Sequence, residues 1–576
     1  MSTPTLAMRP ADRVLDPADL GGARCTRHSF ARTLLRRAAE RGWRVGTERF
    51  DVDDHGRGTV VYRVEAEGHV WRFVAFSNEI PEAARTDRVV AEAWDITGAL
   101  VEGGLDEARI ERLRAEVPRQ EAGRADAGTI IWTRANRSAR FFDYVVDRLA
   151  AGRQPDAGVL GSAPYVLRST AFYSNGKFGL ADFERFDAEH PLGVPYRAHM
   201  LTAWLLRELA YDLVEHCARR RDPDAARLTG AWRRHLGLGN ATGLGMVPYV
   251  VNHPAVLDAW VQLRERALAS VLGREVPAGH PDVARVVALL GRARDHLAAQ
   301  VDLATAPYPT GPEVAAMVSE VLALAEELAA GGTVAGSPAT QPWRALHDAA
   351  ERRGPECRGI VASVLSELCD PAVDSAIEAA LRVDETSRVR PSMSCGEVAR
   401  LLDEHYAWCD DLGADAPDAE HHFWFSSANN EEPRRAVSAV DPGEPVQHRV
   451  DVVRQVRALR RALAAPDADA EQPVAVLLAR APSLRQVVAR VQRAASLTYP
   501  EVHDNLLARD FLPLNVQRFQ LAVYGMENFS PQSTDWLRVT LFSGAPRVGE
   551  LADGTVDDDW IFVPRPTERS DDVAPA

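Results

Sequence analysis

The hydrophobic pattern of this chain changes near residue 195, and that change constrains the fold more than any other feature. Before it, short runs rich in β-branched and aromatic residues alternate with short helical patterns. After it, apolar residues recur at helical spacing over most of the next two hundred or so residues. The pattern therefore predicts an N-terminal α+β domain followed by a helical body.

The N-terminal elements follow one another closely. Two strand-like runs within 58–77 flank Glu67-Gly68, which predicts a hairpin. The remaining predicted elements are helices over 28–42, 108–117 and 137–152, and strands over 89–101 and 129–133. This order is that of an α+β domain ending near residue 152.

Two capping boxes mark helix starts further along the chain. Thr310 with Glu313, and Ser394 with Glu397, have the spacing in which each side chain bonds the other residue's backbone N–H. The C-terminal part is mixed, with predicted helices over 448–464 and 483–497 and predicted strands over 536–544 and 559–564.

The length of 576 residues exceeds one hydrophobic core, so several domain-sized units are expected. The predicted fold class is mainly α with α+β. Its regions are a flexible leader at 1–20, an α+β domain at 21–152, a linker and hairpin at 153–195, a helical domain at 196–410, a mixed α/β C-terminal region at 411–565 and a disordered tail at 566–576.

Composition excludes several classes of protein. The net charge of −15 argues against nucleic acid as a partner, because phosphate binding requires a basic surface. No run approaches 18 apolar residues, no secretory signal is visible, and six cysteines without zinc-like spacing suggest a reducing compartment. We therefore expect a cytoplasmic protein with no membrane partner. Long amphipathic helices leave a homodimer open.

Lys177 is the single lysine among 67 basic residues. It follows Asn175-Gly176, the preferred two-residue hairpin turn, so one interpretation is an exposed strand end. The other is a catalytic lysine, because an ammonium can lose its proton or form an imine and a guanidinium cannot.

The segment 237–254 contains four glycines and several polar residues. Glycines let a backbone approach a ligand closely, and successive N–H groups can hold an anion. The polar residues expected to contact a ligand are Asn240, Thr242 and Asn252, and His253 is a candidate general acid or base. The alternatives are a plain connector between helices and, for His253, a residue at a helix start beside Pro254.

Arginines beside amides and hydroxyls form the third group of candidates. An arginine pairs bidentately with carboxylate or phosphate, although surface ion pairs are the ordinary use of this residue. The expected substrate-binding residues here are Arg134, Asn136, Arg137, Arg168, Tyr173, Asn430, Glu432 and Arg434. The adjacent His421 and His422 suggest a metal site, but the recognised ligand spacings are absent. No metal or other cofactor is therefore predicted.

Polar groups of this kind scattered through the chain favour an enzyme. The prediction is acid–base chemistry on a small carboxylate- or phosphate-bearing metabolite, as a lyase or hydrolase. The alternative is a non-catalytic ligand-binding or scaffold protein in which the same loops are structural.

Overall fold

A computed structural model describes residues 8–79, 94–117, 128–174, 186, 190–194, 196–242, 254–277, 279–300, 308–331, 341–370, 372, 389–412, 425–426, 434–435, 437–439, 447–449, 451–500, 513–526, 528–531, 537–552 and 560–566. Within them, helices and a large sheet occur together, which confirms a mixed α+β class. None of the helices in these ranges combines the length and the apolar character needed to span a bilayer.

Nine of the described strands form one sheet in the order β1-β2-β3-β4-β5-β6-β7-β13-β12. Every neighbouring pair is antiparallel except β6 and β7, which run parallel. The strands of this sheet are β1 Arg44–Val52, β2 Gly58–Ala66, β3 His69–Ser77, β4 Ile96–Glu102, β5 Thr129–Arg137, β6 Tyr165–Ser174, β7 Gly237–Thr242, β12 Asn528–Pro531 and β13 Leu537–Leu541. The strands β8 Phe425–Ser426 and β9 Arg434–Arg435 form one further pair, and β10 Val437–Ala439 and β11 Gln447–Arg449 form another.

The helices occur throughout the chain. The first eight are α1 Ala11–Val14, α2 Pro17–Gly21, α3 Phe30–Glu40, α4 Glu107–Glu116, α5 Phe142–Ala150, α6 Ala157–Leu160, α7 Arg197–Arg221 and α8 Gly230–His235. The central ones are α9 Pro254–Leu272, α10 Pro281–Ala298, α11 Gly311–Ala329, α12 Pro342–Glu351 and α13 Pro355–Ser366. The last are α14 Cys395–His405, α15 Trp408–Asp411, α16 Val452–Leu463, α17 Val474–Arg480, α18 Arg485–Ala494, α19 Pro513–Tyr524 and α20 Val548–Ala552.

Alternation along the strands gives the sheet two apolar faces. On β3, Trp71 and Phe73 face a core that also contains α3, α5 and α7, whereas Val74 and Phe76 face a smaller core beneath α4. Helix α7 is almost wholly buried, including the charged residues Arg207, Glu208 and Glu215, so it lies inside the protein rather than on its surface. Two more cores join the central helices α9 to α13 and the later helices α14, α16 and α18.

Local sequence signals predicted several of these elements correctly. The hairpin at Glu67-Gly68 joins β2 to β3, and both capping boxes form as predicted, at the starts of α11 and α14. Glu67 itself adopts a positive φ of 50°, which the tight turn requires.

Four predictions need correction. The helix predicted over 448–464 begins only at Val452, because Gln447–Arg449 form β11. The strand predicted at 129–133 continues to Arg137, so the helix predicted from 137 begins only at Phe142. The segment 237–254 is not a loop throughout, because its first six residues are β7, held between β6 and β13. The strand predicted at 559–564 is absent from its described residues, 560–564, because two carbonyls that would join a sheet accept side-chain hydrogen bonds instead. Arg292 donates to the Ile561 carbonyl at 2.6 Å, and His296 Nδ1 lies 3.3 Å from the Val563 carbonyl.

Candidate functional site

Several predicted site residues lie outside the described part of the chain or have only their backbone described. The first group contains Lys177, Asn252, His253, Asn430 and Glu432, and the second contains Tyr173, Thr242 and Arg434. These eight assignments stay predictions. His421 and His422, for which no metal was predicted, also lie outside the described residues. The five predicted residues whose side chains are described are Arg134, Asn136, Arg137, Arg168 and Asn240.

The register of β5 and β6 brings the arginine segments together. Asn136 lies directly opposite Arg168, and Arg168 is also the register partner of Gly239 on β7, next to Asn240. Asn136, Arg168 and Asn240 therefore lie near one another, at the end of the sheet where β5 finishes and β6 begins.

Three of these side chains have structural partners. Arg137 donates to the Gly56 carbonyl at 2.7 Å and to Ser77 Oγ at 3.1 Å, which ties β5 to the turn before β2. The side-chain oxygen of Asn136 accepts a hydrogen bond from the backbone N–H of Asp95 at 3.1 Å. The guanidinium of Arg134 stacks at 3.8 Å from the ring centroid of Trp94, a favourable cation–π contact.

The opposite edge of the sheet gathers a second set of polar groups. Glu102 ends β4 at this edge and lies opposite Trp71, two residues from His69 at the start of β3. The carboxyl ends of β6 and β7 reach the same edge, because Ser174 pairs with Ile131 near the start of β5 and the two strands run parallel. In sequence, Lys177 follows Ser174 by three residues.

At this edge, one carboxylate oxygen collects three donors. Glu102 Oε1 lies 3.0 Å from His69 Nδ1, 3.4 Å from His190 Nε2 and 3.2 Å from the indole nitrogen of Trp71. His190 is buried, whereas His69 and Glu102 keep about one third of their side-chain surface exposed, 33% and 35%. The Phe186 ring stacks on the His190 imidazole at 3.8 Å between centroids and fixes its plane.

These contacts fix the charge and the tautomers of the group. Partial burial opposes ionisation of Glu102, but the hydrogen bonds from His69 and His190 outweigh it, so its pKa is lowered. An ionised carboxylate only accepts hydrogen bonds, so His69 donates to it from Nδ1, and in the neutral imidazole the lone pair then lies on Nε2. The arrangement is that of a histidine base oriented and polarised by a carboxylate.

The same three side chains could also be considered as metal ligands, since their donor atoms all lie within 4.8 Å of one another. However, the Leu192 N–H donates to His190 Nδ1 at 3.1 Å, which places the ring proton of His190 on Nε2, the atom that would have to bind the ion. A ligating histidine normally donates from its other nitrogen instead. The geometry therefore favours a hydrogen-bonded acid–base group over a metal site.

His347, Asp348 and Glu351 on α12 form a second cluster with metal-like spacing. Glu351 already pairs with Arg13 at 2.5 Å and lies 3.6 Å from Arg358. Because these arginines already compensate the negative charge, the cluster is an ion-pair network of the fold.

Further buried charges along α7 stabilise the fold around the site. Arg207 is completely buried and donates to the carbonyls of Arg233, Ala545 and Pro546 at 2.9, 3.0 and 3.2 Å. Its neighbour Glu208 has a pKa raised to about 7 because burial, opposed by the charge of Arg207, penalises the ionised carboxylate.

Sequence reasoning missed His69, Glu102 and His190. A signal was present for the first two: His69 and Trp71 alternate onto one face of a predicted strand, and Glu102 is a charged residue at the end of an apolar run. Their meeting depends on the register between β3 and β4, which no local pattern gives.

Comparison of the chain with protein-family models, with curated proteins and with solved structures gives no match.

Proposed function

We propose that this protein is an enzyme that performs acid–base chemistry on a small anionic metabolite, with His69 as the group that takes up and returns the proton. The observation that supports this most is the Glu102 carboxylate, which orients His69 so that its Nε2 lone pair is available at a partly exposed sheet edge. A general base of this kind typically contributes 10²- to 10⁴-fold to a rate.

Lysis of a bond next to a carboxylate and hydrolysis both begin with such a proton transfer, so a lyase or a hydrolase fits the arrangement. The N-terminus of α7 points toward this edge, and this supports the proposal that the metabolite is negatively charged. The loop before α7 places His190 beside Glu102 at this edge. In the last turns of α7, Cys217 lies against Gly56 at the opposite edge, which gives the direction of the helix. The positive end of a helix dipole favours an anion.

The test begins with a thermal-shift screen of carboxylates, phosphates and amino acids, followed by turnover assays on each compound that stabilises the protein. We expect His69→Asn and Glu102→Gln to lower kcat by about 10²-fold or more while the dissociation constant changes little. His216→Asn is the matched control, since His216 hydrogen-bonds the Asp53 carbonyl and packs against the Phe50 ring.

Full turnover by His69→Asn would refute the proposal. Binding without any turnover in the wild-type protein would instead favour the non-catalytic ligand-binding protein.

A further inference from the structure

The first turn of α7 is buried in a way that is unusual for a helix end. Arg197, Ala198 and His199 are only 3%, 3% and 5% exposed. The first N–H groups of any helix have no partner within the helix and must be satisfied by a cap, by water or by a ligand. At a buried end of a helix of 25 residues, that requirement is strict.

The residue before the helix does not provide the cap. Tyr196 has the left-handed conformation (φ 58°, ψ 1°), and its side chain makes no capping hydrogen bond. Favoured caps are Ser, Thr, Asp and Asn, whose oxygens accept from the second or third N–H of the helix. The Arg197 N–H donates to the Val194 carbonyl at 3.2 Å. Within the described part of the chain, the N–H groups of Ala198 and His199 are left without a capping acceptor.

The imidazole of His199 provides a second, independent indication of a ligand. Both of its ring nitrogens are buried and have no hydrogen-bond partner among the described residues. Side chains in a helix lean toward its N-terminus, and the His199 ring lies 5.6 Å from that of Tyr196, so the imidazole points to the uncapped end. Burying such a polar group with no partner is costly.

The end of the helix carries a positive potential, because the helix dipole places a partial positive charge there. The Arg197 side chain is buried beside this turn, where it donates to the Pro191 carbonyl at 2.8 Å. Pro191 follows His190, so the uncapped turn and the His69–Glu102 pair are joined by one short, tightly hydrogen-bonded loop.

We propose that the N-terminus of α7 is a binding site for a carboxylate or phosphate group, which accepts hydrogen bonds from the N–H groups of Ala198 and His199 and from the His199 ring. The inference rests on the proposed function in one respect: we assign this group to the substrate on which His69 acts. The anion would supply the acceptors that the buried turn lacks.

Burial alone lowers the pKa of His199 to about 3, so the ring is neutral without a ligand. A neutral imidazole still carries one N–H, and this proton can serve the anion. Charge-assisted hydrogen bonds of this type are among the stronger ones in proteins.

The test measures binding of inorganic phosphate and of succinate by isothermal titration calorimetry to the full-length protein. We expect His199→Phe, which removes the ring donor and keeps an aromatic side chain, to weaken binding about 10-fold or more. His199→Gln keeps a side-chain N–H and should fall between His199→Phe and the wild type. Because an unpartnered polar ring is replaced by an apolar one, His199→Phe should stay folded without ligand.

His235→Phe is the matched control. His235 is equally buried and both of its ring nitrogens also lack partners among the described residues, but it is the last residue of α8, at the negative end of a helix. Phosphate and succinate should bind this variant as they bind the wild type.

Unchanged anion affinity in His199→Phe, or equal losses in His199→Phe and His235→Phe, would overturn the site. A wild type that binds neither phosphate nor succinate would overturn it as well. Failure of the acid–base proposal is distinguishable, because His69→Asn would then keep full turnover whatever the anion affinity. With both proposals correct, His69→Asn loses turnover and retains phosphate binding.

Discussion

Replacing Gly239 by alanine tests directly whether the glycines of 237–254 serve packing or a ligand. A Cβ at this position would lie 2.2 Å from Cγ of Tyr165 and 2.5 Å from both of its Cδ atoms. Non-bonded carbons rest at about 3.5 Å or more, so the Tyr165 ring would have to move by about 1.3 Å. The ring is buried and packs edge-on against Phe141 at 5.9 Å, which leaves it little room.

The magnitude follows from two opposing effects. Overpacking a core typically costs about 1–3 kcal/mol, whereas exchanging glycine for alanine inside a strand gains about 0.5–1 kcal/mol. Because the buried Tyr165 ring would have to be displaced so far, the upper end of the overpacking cost applies. We therefore expect Gly239→Ala to lower the free energy of unfolding by about 2 kcal/mol, as measured by urea denaturation followed by tryptophan fluorescence.

A double-mutant cycle isolates the contact. Once Tyr165→Ala has removed the ring, only the gain of about 0.5–1 kcal/mol from replacing glycine in a strand should remain, so the coupling energy should equal the overpacking cost of about 3 kcal/mol. Gly46→Ala is the control, since Gly46 lies in β1 with no atom within 4 Å of the added methyl. A similar cost of Gly239→Ala with and without the Tyr165 ring would refute the packing explanation and return Gly239 to the candidates for ligand contact.

Two further predictions concern the buried charges of α7. Arg207→Met should lower the free energy of unfolding by about 3–5 kcal/mol in the same assay, because it leaves the buried carbonyls of Arg233, Ala545 and Pro546 without their donor; a loss below about 1 kcal/mol would contradict this. For Glu208, the folded pKa of about 7 exceeds the ordinary 4.5, so the folded state binds the extra proton and stability falls as pH rises between these values. Glu208→Gln should thus match the wild type near pH 4 and exceed it by about 3 kcal/mol at pH 8, and a pH-independent difference would show that Glu208 does not titrate in this way.

The parts of the fold that the sequence predicted are those set by neighbouring residues. The Glu67-Gly68 turn and the capping box of Thr310 with Glu313 each involve only a few consecutive residues, so a short stretch of sequence is enough to predict them. β7 was missed because its residues have low strand propensity, and its conformation comes from pairing with β6 on one side and β13 on the other. The apolar run at 560–564 has the composition of a strand but does not form one. Two of its carbonyls accept hydrogen bonds from the side chains of Arg292 and His296 on α10 instead of from a neighbouring strand.

The candidate site shows the same division between local and distant information. Residues 69, 102 and 190 are separated by 33 and 88 positions, and only the pairing of Trp71 with Glu102 and the turn before α7 bring them together. The sequence prediction relied on polar residues that are close together along the chain. Glu102 instead contacts His69 on the neighbouring strand and His190 in the turn before α7. His199 lies in the region after residue 195 where apolar residues recur at helical spacing, and that spacing gave no sign that a helix would begin uncapped inside the protein. What identifies His199 is an unmet hydrogen-bonding requirement, a property that exists only once the surrounding side chains are in place.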